Sequence, residues 1–272
     1  MSYVTNEGHE LWFEATGSGS PILLSGGFGL VDSQFERVTP LLAEHFRVIN
    51  WNWRGVGRSD RALAAPPSID AWTRDLEAVL DAADVETAAL WGTSTGALVS
   101  LHFAARHADR VRALVTYPSY KTDVAMRRAY MLFAEVAETF GFDAVTRLVS
   151  WVGLPPEKLD TPEGLAFARW ERDALEKNLS IEAWQPVCRA IAETDLTSDL
   201  ERIAESDMPV LLLGGDAGPV GLDSPPIRAQ LKTFLERLPN AATHVVPGTG
   251  GTYCVLEDAA ACASAVRSFL AG

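Results

Sequence analysis

The chain has 272 residues, 47% of them hydrophobic and 22% charged, with 23 basic against 36 acidic side chains. That length suits one α/β domain carrying an inserted subdomain, and the composition is ordinary for a soluble globular protein. A formal net charge of −13 repels phosphate backbones and anionic bilayers, which argues against nucleic-acid and membrane partners.

Two short strands are expected first, around Tyr3–Thr5 and Glu10–Ala15. The apolar run Pro21–Leu24 ends in Ser25-Gly26-Gly27-Phe28-Gly29 and reads as a buried strand bounded by glycines. A helix is expected from Asp32 to about Glu44, a strand over Phe46–Trp51, and a loop over Asn52–Ser59. Trp72, Leu76, Val79 and Leu80 recur at helical spacing within Ile69–Ala83. Ala88–Trp91 then reads as a strand, Thr95–Arg106 as a helix and Val111–Val115 as a strand. Strands that are apolar throughout and alternate with helices predict a mostly parallel sheet covered on both faces.

From about Tyr120 to Glu205 no strand-like run occurs, and helical periodicity covers Met126–Phe140, Ala144–Val152, Pro162–Glu176 and Ile181–Ala192. The expected organisation is therefore an α/β core over 1–119 and 206–272 with a helical cap inserted over 120–205. The sheet resumes with Val210–Leu213 and Thr243–Val246, between which Pro226–Leu238 reads as a helix, and Asp258–Leu270 is the last helix.

Cys188, Cys254 and Cys262 form no CxxC pair and no metal-spaced cluster. A reducing compartment, the cytoplasm, is the expectation. The opening residues MSYVTNEGHELWFEA carry neither a basic region nor a long apolar run, so they do not read as a signal peptide. No phosphate loop, dinucleotide fingerprint or metal site is read, so no cofactor is expected; a small molecule is the expected partner.

The segment Ala88–Gly96 reads AALWGTSTG. It places Gly92-Thr93-Ser94-Thr95-Gly96, a G-x-S-x-G, between a predicted strand and a predicted helix. A sharp strand-to-helix turn strains the serine backbone and needs glycines on either side for close chain approach. It lifts Ser94 above the sheet beside a helix N-terminus, where free N–H groups favour negative charge.

With this motif the chain resembles the α/β-hydrolase family over nearly its whole length. Ser25-Gly26-Gly27-Phe28-Gly29 resembles the His-Gly-x loop, and Asn52-Trp53-Arg54-Gly55-Val56-Gly57-Arg58-Ser59 resembles D-x-R-G-x-G-x-S. His107-Ala108-Asp109-Arg110-Val111 is similar to the H-P-x-R-V that follows the elbow helix. The resemblance implies that the backbone N–H groups of Gly27 and Thr95 form an oxyanion hole around Ser94, a device worth a few kcal/mol of transition-state stabilisation.

Two parts of the pattern are missing. A common family form around the catalytic histidine is G-G-T-H-Y-x-x-L-E, whereas this chain reads Gly250-Gly251-Thr252-Tyr253-Cys254-Val255-Leu256-Glu257 without the histidine. Gly218 stands where the acid is expected after the strand VLLL; Asp216 lies two residues early and Asp223 further on. The alternative acid segment, Val115-Thr116-Tyr117-Pro118-Ser119, has no carboxylate. His102 is eight residues beyond Ser94 on one helix, about 12 Å along its axis and out of reach. His9, His45, His107 and His244 also read as structural or solvated.

A serine hydroxyl is a poor nucleophile without a base. Three readings stay open. One is an enzyme of a small, largely apolar carbonyl compound (ester, lactone or polyketide-like), with Tyr253, Asp216 or a substrate group as base. Another is a lyase, isomerase or cyclase that holds an enolate in the oxyanion hole. The third is a ligand-binding pseudoenzyme. A ligand is expected between cap and sheet, against Phe28, Trp53, Tyr117 and Trp151. Oligomeric state is not legible.

Overall fold

In the computed structural model the apolar runs pair into one eight-stranded sheet, ordered β1-β2-β4-β3-β5-β6-β7-β8. The strands are β1 (Ser2–Asn6), β2 (His9–Thr16), β3 (Pro21–Ser25), β4 (Arg47–Trp51), β5 (Ala88–Gly92), β6 (Val111–Thr116), β7 (Val210–Ala217) and β8 (Ala242–Gly250). The structure describes residues 1–121 and 124–272, and only the backbone at 124, 125, 142, 146 and 150–153. Strands β3 to β8 run parallel; β2 is antiparallel to both β1 and β4. Glu7 and Gly8, both at positive φ, make the two-residue turn between β1 and β2.

Alternation along each strand divides the core into two layers. Leu23, Leu90, Leu114 and Leu212 face one side, while Ile22, Leu24, Ala89, Trp91, Val115, Leu211 and Leu213 face the other. The first face is covered by α2 (Ile69–Ala82), α3 (Thr95–Arg106), α8 (Thr197–Ala204) and α9 (Pro225–Arg237). The second is covered by α1 (Thr39–Ala43), α10 (Cys254–Glu257) and α11 (Ala259–Ala271). Helix α2 starts where Ser68 accepts a bond from the Ala71 N–H, and it buries Trp72, Leu76, Val79 and Leu80. Arg54, in the loop after β4, forks onto the fully buried Asp75 of α2, with contacts of 2.8 and 2.5 Å.

Between β6 and α8 the chain is helical: α4 (Val124–Phe140), α5 (Phe142–Gly153), α6 (Pro162–Asn178) and α7 (Ile181–Ala192). Thr161 and Ser180 cap α6 and α7, and the indole N–H of Trp184 on α7 donates to the Phe133 carbonyl on α4 at 3.1 Å. A bridge between Lys121 and Asp195 closes the base of this excursion.

The single helix expected from Asp32 to Glu44 is instead a 3-10 turn, Val31–Phe35, followed by the short α1. Pro40 supplies no N–H for a helical hydrogen bond to the preceding turn, which breaks the run. Helices α8 and α10 are additional to the sequence reading; α8 packs on α3, where its Asp199 meets His102. No helix among the described residues is long and apolar enough to cross a membrane.

Candidate active site

Ser94 sits between the end of β5 and the start of α3 with φ 49° and ψ −121°, a conformation that costs an L-residue on the order of 1–3 kcal/mol. The turn can form because Gly96 lets α3 approach β3: a β-carbon there would lie 1.9 Å from the Ser25 carbonyl oxygen. The Thr93 N–H donates to that same carbonyl at 3.0 Å. Ser25 holds the position of the motif's histidine, and its hydroxyl accepts the indole N–H of Trp51 at 2.9 Å.

The cavity before Ser94 has a volume of about 130 Å³, near that of an apolar cavity that accepts benzene, roughly 150 Å³. Its walls are chiefly apolar, with Leu98, Phe133, Ile191 and Ile227 among them, and Lys121 and Gln230 add polar groups. The buried Gln230 Oε1 has no hydrogen-bond partner.

Of the expected site residues, Gly27, Phe28, Ser94, Thr95, Tyr117 and Tyr253 all line this cavity. Thr252 lines it too, so the loop that lacks the histidine does reach the site. Two expectations are corrected. Trp53 does not line the cavity; it is fully buried against Trp72, with ring centroids 4.6 Å apart. The anchoring of its neighbour Arg54 to Asp75 draws this loop towards α2. Asp216 is also absent from the lining: its carboxylate accepts the Gly248 N–H at 2.7 Å and ties β7 to β8. The side chain of Trp151 lies outside the described residues. Gly218, at the expected acid position, has φ +79°, so a carboxylate-bearing residue would be strained there.

None of the five histidines lines the cavity. His102 is buried, with Nδ1 2.7 Å from Asp199 and Nε2 2.9 Å from Asp70. His107 stacks on Phe103, His45 meets Arg267, and His244 is exposed.

Three polar side chains at the site escaped the sequence reading. The first is Gln34, only 1% exposed. Its Oε1 accepts the Gly27 N–H at 2.6 Å and the Thr93 hydroxyl at 2.8 Å, while its Nε2 donates to the Thr252 carbonyl at 3.0 Å. The N–H expected to hold a substrate oxygen therefore already has an acceptor. The second is Tyr130 of α4, which lines the cavity together with Ser94 and whose pKa burial pushes up to about 12. The third is Glu171 of α6, fully buried, which accepts a short hydrogen bond from Tyr253. Burial, and then the charge of Glu171, raises the Tyr253 phenol well above its ordinary value. Both phenols thus stay protonated near neutral pH, and Tyr253 is committed to Glu171. A glutamine seven residues past a glycine loop, and inward positions on two amphipathic helices, carry no motif. Among the described residues, no group of three or more His, Cys, Asp or Glu is placed to hold a metal ion.

A model of the alpha/beta hydrolase fold matches residues 22–257. A protein of Azorhizobium caulinodans provisionally named carbamate hydrolase RutD is 30% identical over 214 residues, 78% of either chain. A non-heme haloperoxidase of Rhodococcus erythropolis is 27% identical over 94% of this chain and 95% of its own. The crystal structure of the enol-lactonase from Burkholderia xenovorans LB400 superposes with a TM-score of 0.84 at 24% identity, over 100% of both chains. The sheet order, the strained serine after β5 and these matches lead to one assignment: the chain belongs to the α/β-hydrolase fold family.

Proposed function

We propose that this chain is an α/β-hydrolase-fold enzyme acting on a small, largely apolar carbonyl compound, an ester, lactone or polyketide-like molecule. Ser94 serves it without a Ser-His-Asp triad. The observation that carries the reading is that Ser94 keeps its strained φ of 49° while it lines an apolar cavity. Strain of this kind persists where the surrounding structure enforces it, and it clusters at functional sites. The carbamate hydrolase among the relatives supports a carbonyl substrate. In this reading residues 120–205 form the cap, and the protein acts in the cytoplasm on a free small molecule.

The base is the open chemical question. Tyr253 is tied to Glu171 and Asp216 to Gly248, so of the candidate bases only a group of the substrate remains. A basic oxygen or nitrogen on the substrate takes the Ser94 proton as the hydroxyl attacks the carbonyl. Tyr130, whose phenol stays protonated, lines the same cavity.

A second reading, ligand binding without turnover, is favoured by Gln34, which already occupies the Gly27 N–H. Intact-mass measurement after fluorophosphonate treatment, with Ser94→Ala as control, separates the two. A single adduct absent from the mutant is expected for the enzyme. No adduct, together with no turnover across a panel of esters and lactones, overturns that reading and leaves binding.

A further inference from the structure

The three hydrogen bonds of Gln34 fix which way its carboxamide faces. The Gly27 N–H and the Thr93 hydroxyl require an acceptor, and the Thr252 carbonyl requires a donor. A β-carbon placed on Gly27 would lie 2.9 Å from both Gln34 Oε1 and Ser94 Cβ. The amide oxygen therefore stands beside the serine, on one of the N–H groups the fold offers to a substrate oxygen.

We propose that Gln34 makes this site selective for oxygen atoms that carry negative charge. Its ligands are then compounds with a carboxylate or enolate oxygen beside the reacting carbon, rather than neutral esters or ketones. The inference rests on the reading of the cavity as a carbonyl-binding site. An incoming oxygen gains the Gly27 N–H only by displacing the oxygen that already holds it. Nitrogen lone-pair donation makes an amide oxygen a stronger acceptor than that of a neutral ester or ketone. A neutral ligand therefore exchanges a good bond for a weaker one, and it strands a buried carboxamide. An anionic oxygen forms charge-assisted hydrogen bonds, roughly twice as strong as neutral ones, which reverses the balance. Lys121 lines the same cavity, and Ser94 sits at the N-terminus of the 12-residue α3. Both offset the cost of bringing an anion into an apolar site.

Benzoate and acetophenone test this, because they share size and shape and differ in a charged oxygen against a methyl group. Neither has a leaving group, so the result does not depend on whether Ser94 is nucleophilic, and the labelling experiment can fail while this one succeeds. Each compound is titrated by calorimetry into the wild-type chain and into Gln34→Met, which keeps the side-chain volume and removes the acceptor. The ratio of benzoate to acetophenone affinity is expected to fall about tenfold in Gln34→Met, mainly because acetophenone binds more tightly. An unchanged ratio, or no binding of either compound to Gln34→Met, overturns the proposal. Should that variant not fold, the Gly27 amide resonance of the wild-type chain decides. It is expected to move with benzoate and to stay fixed with acetophenone; equal movement overturns the proposal.

Discussion

Tyr130 shows how one hydroxyl ties the site to the pH behaviour of the protein. Its folded pKa is near 12 because of burial, against about 10 in an unfolded chain. Below pH 10 both states keep the proton and the group contributes no pH dependence. Between the two values only the unfolded phenol ionises, so stability falls as pH rises, by at most about 2.7 kcal/mol from this residue. Urea unfolding at pH 9 and pH 11 is expected to show a smaller alkaline loss in Tyr130→Phe than in wild type. Thr252 gives a second expectation. Thr252→His places an imidazole on the cavity wall, but Gly218 offers no acid to orient it, and Gln34 still covers Gly27. Hydrolysis of p-nitrophenyl acetate is expected to rise less than about tenfold, far below the effect of a complete triad. A gain of about a thousandfold would show that the site lacks only a base.

Among the elements, the loop after β4 is the one held most firmly by charge. Arg54 is buried and forks onto Asp75, with Glu7 adding a third contact at 2.9 Å. The hydrogen bonds that Arg54 donates to the Asp75 carboxylate are the main reason its guanidinium pKa is raised. Asp75→Ala leaves most of that buried charge unmatched, and an uncompensated buried ion costs about 3–5 kcal/mol. Chemical denaturation should show a loss near the lower end of that range, because Glu7 remains; a change within about 0.5 kcal/mol would show that water solvates Arg54. These elements were largely legible from the chain. The spans of α3 and α7 follow directly from their periodicity, and the glycines at 92 and 96 announced the elbow. The region 32–44 misled because its apolar spacing is helical while Pro40 cuts the hydrogen-bond ladder. The site was legible where a motif or a strand-end loop makes it, which includes Phe28, Tyr117 and Tyr253. Ser94, Gly27 and Thr95 follow from a motif, whereas Gln34, Tyr130 and Glu171 arrive from separate segments whose meeting is a tertiary event. Trp53 was expected at the ligand and is not, because a strand end permits either direction until Arg54 finds Asp75.

For the molecule as a whole, the carboxylates set the acid limit. Glu7, Asp70 and Asp195 all have lowered pKa values, through hydrogen bonds first to Arg74, His102 and Thr197 respectively. Their contribution is fully present above the unfolded carboxylate range, near pH 4, and is lost as pH falls through the lower folded values. A thermal midpoint that holds down to about pH 5 and drops below pH 4 is the expected profile.

The cavity itself has a thermodynamic consequence. Its walls come from the loop after β3, from α3 and α4, and from the turn after β8, segments scattered from Gly27 to Tyr253 along the chain. Unfolding any of them destroys it, so a bound molecule is lost with the native state and shifts the unfolding equilibrium by mass action. A ligand at a hundred times its dissociation constant adds about 2.7 kcal/mol, which melting curves register in a 272-residue chain as a rise of roughly 5–10 °C. Screening libraries of small acids by heat therefore identifies what the protein holds before any reaction is known.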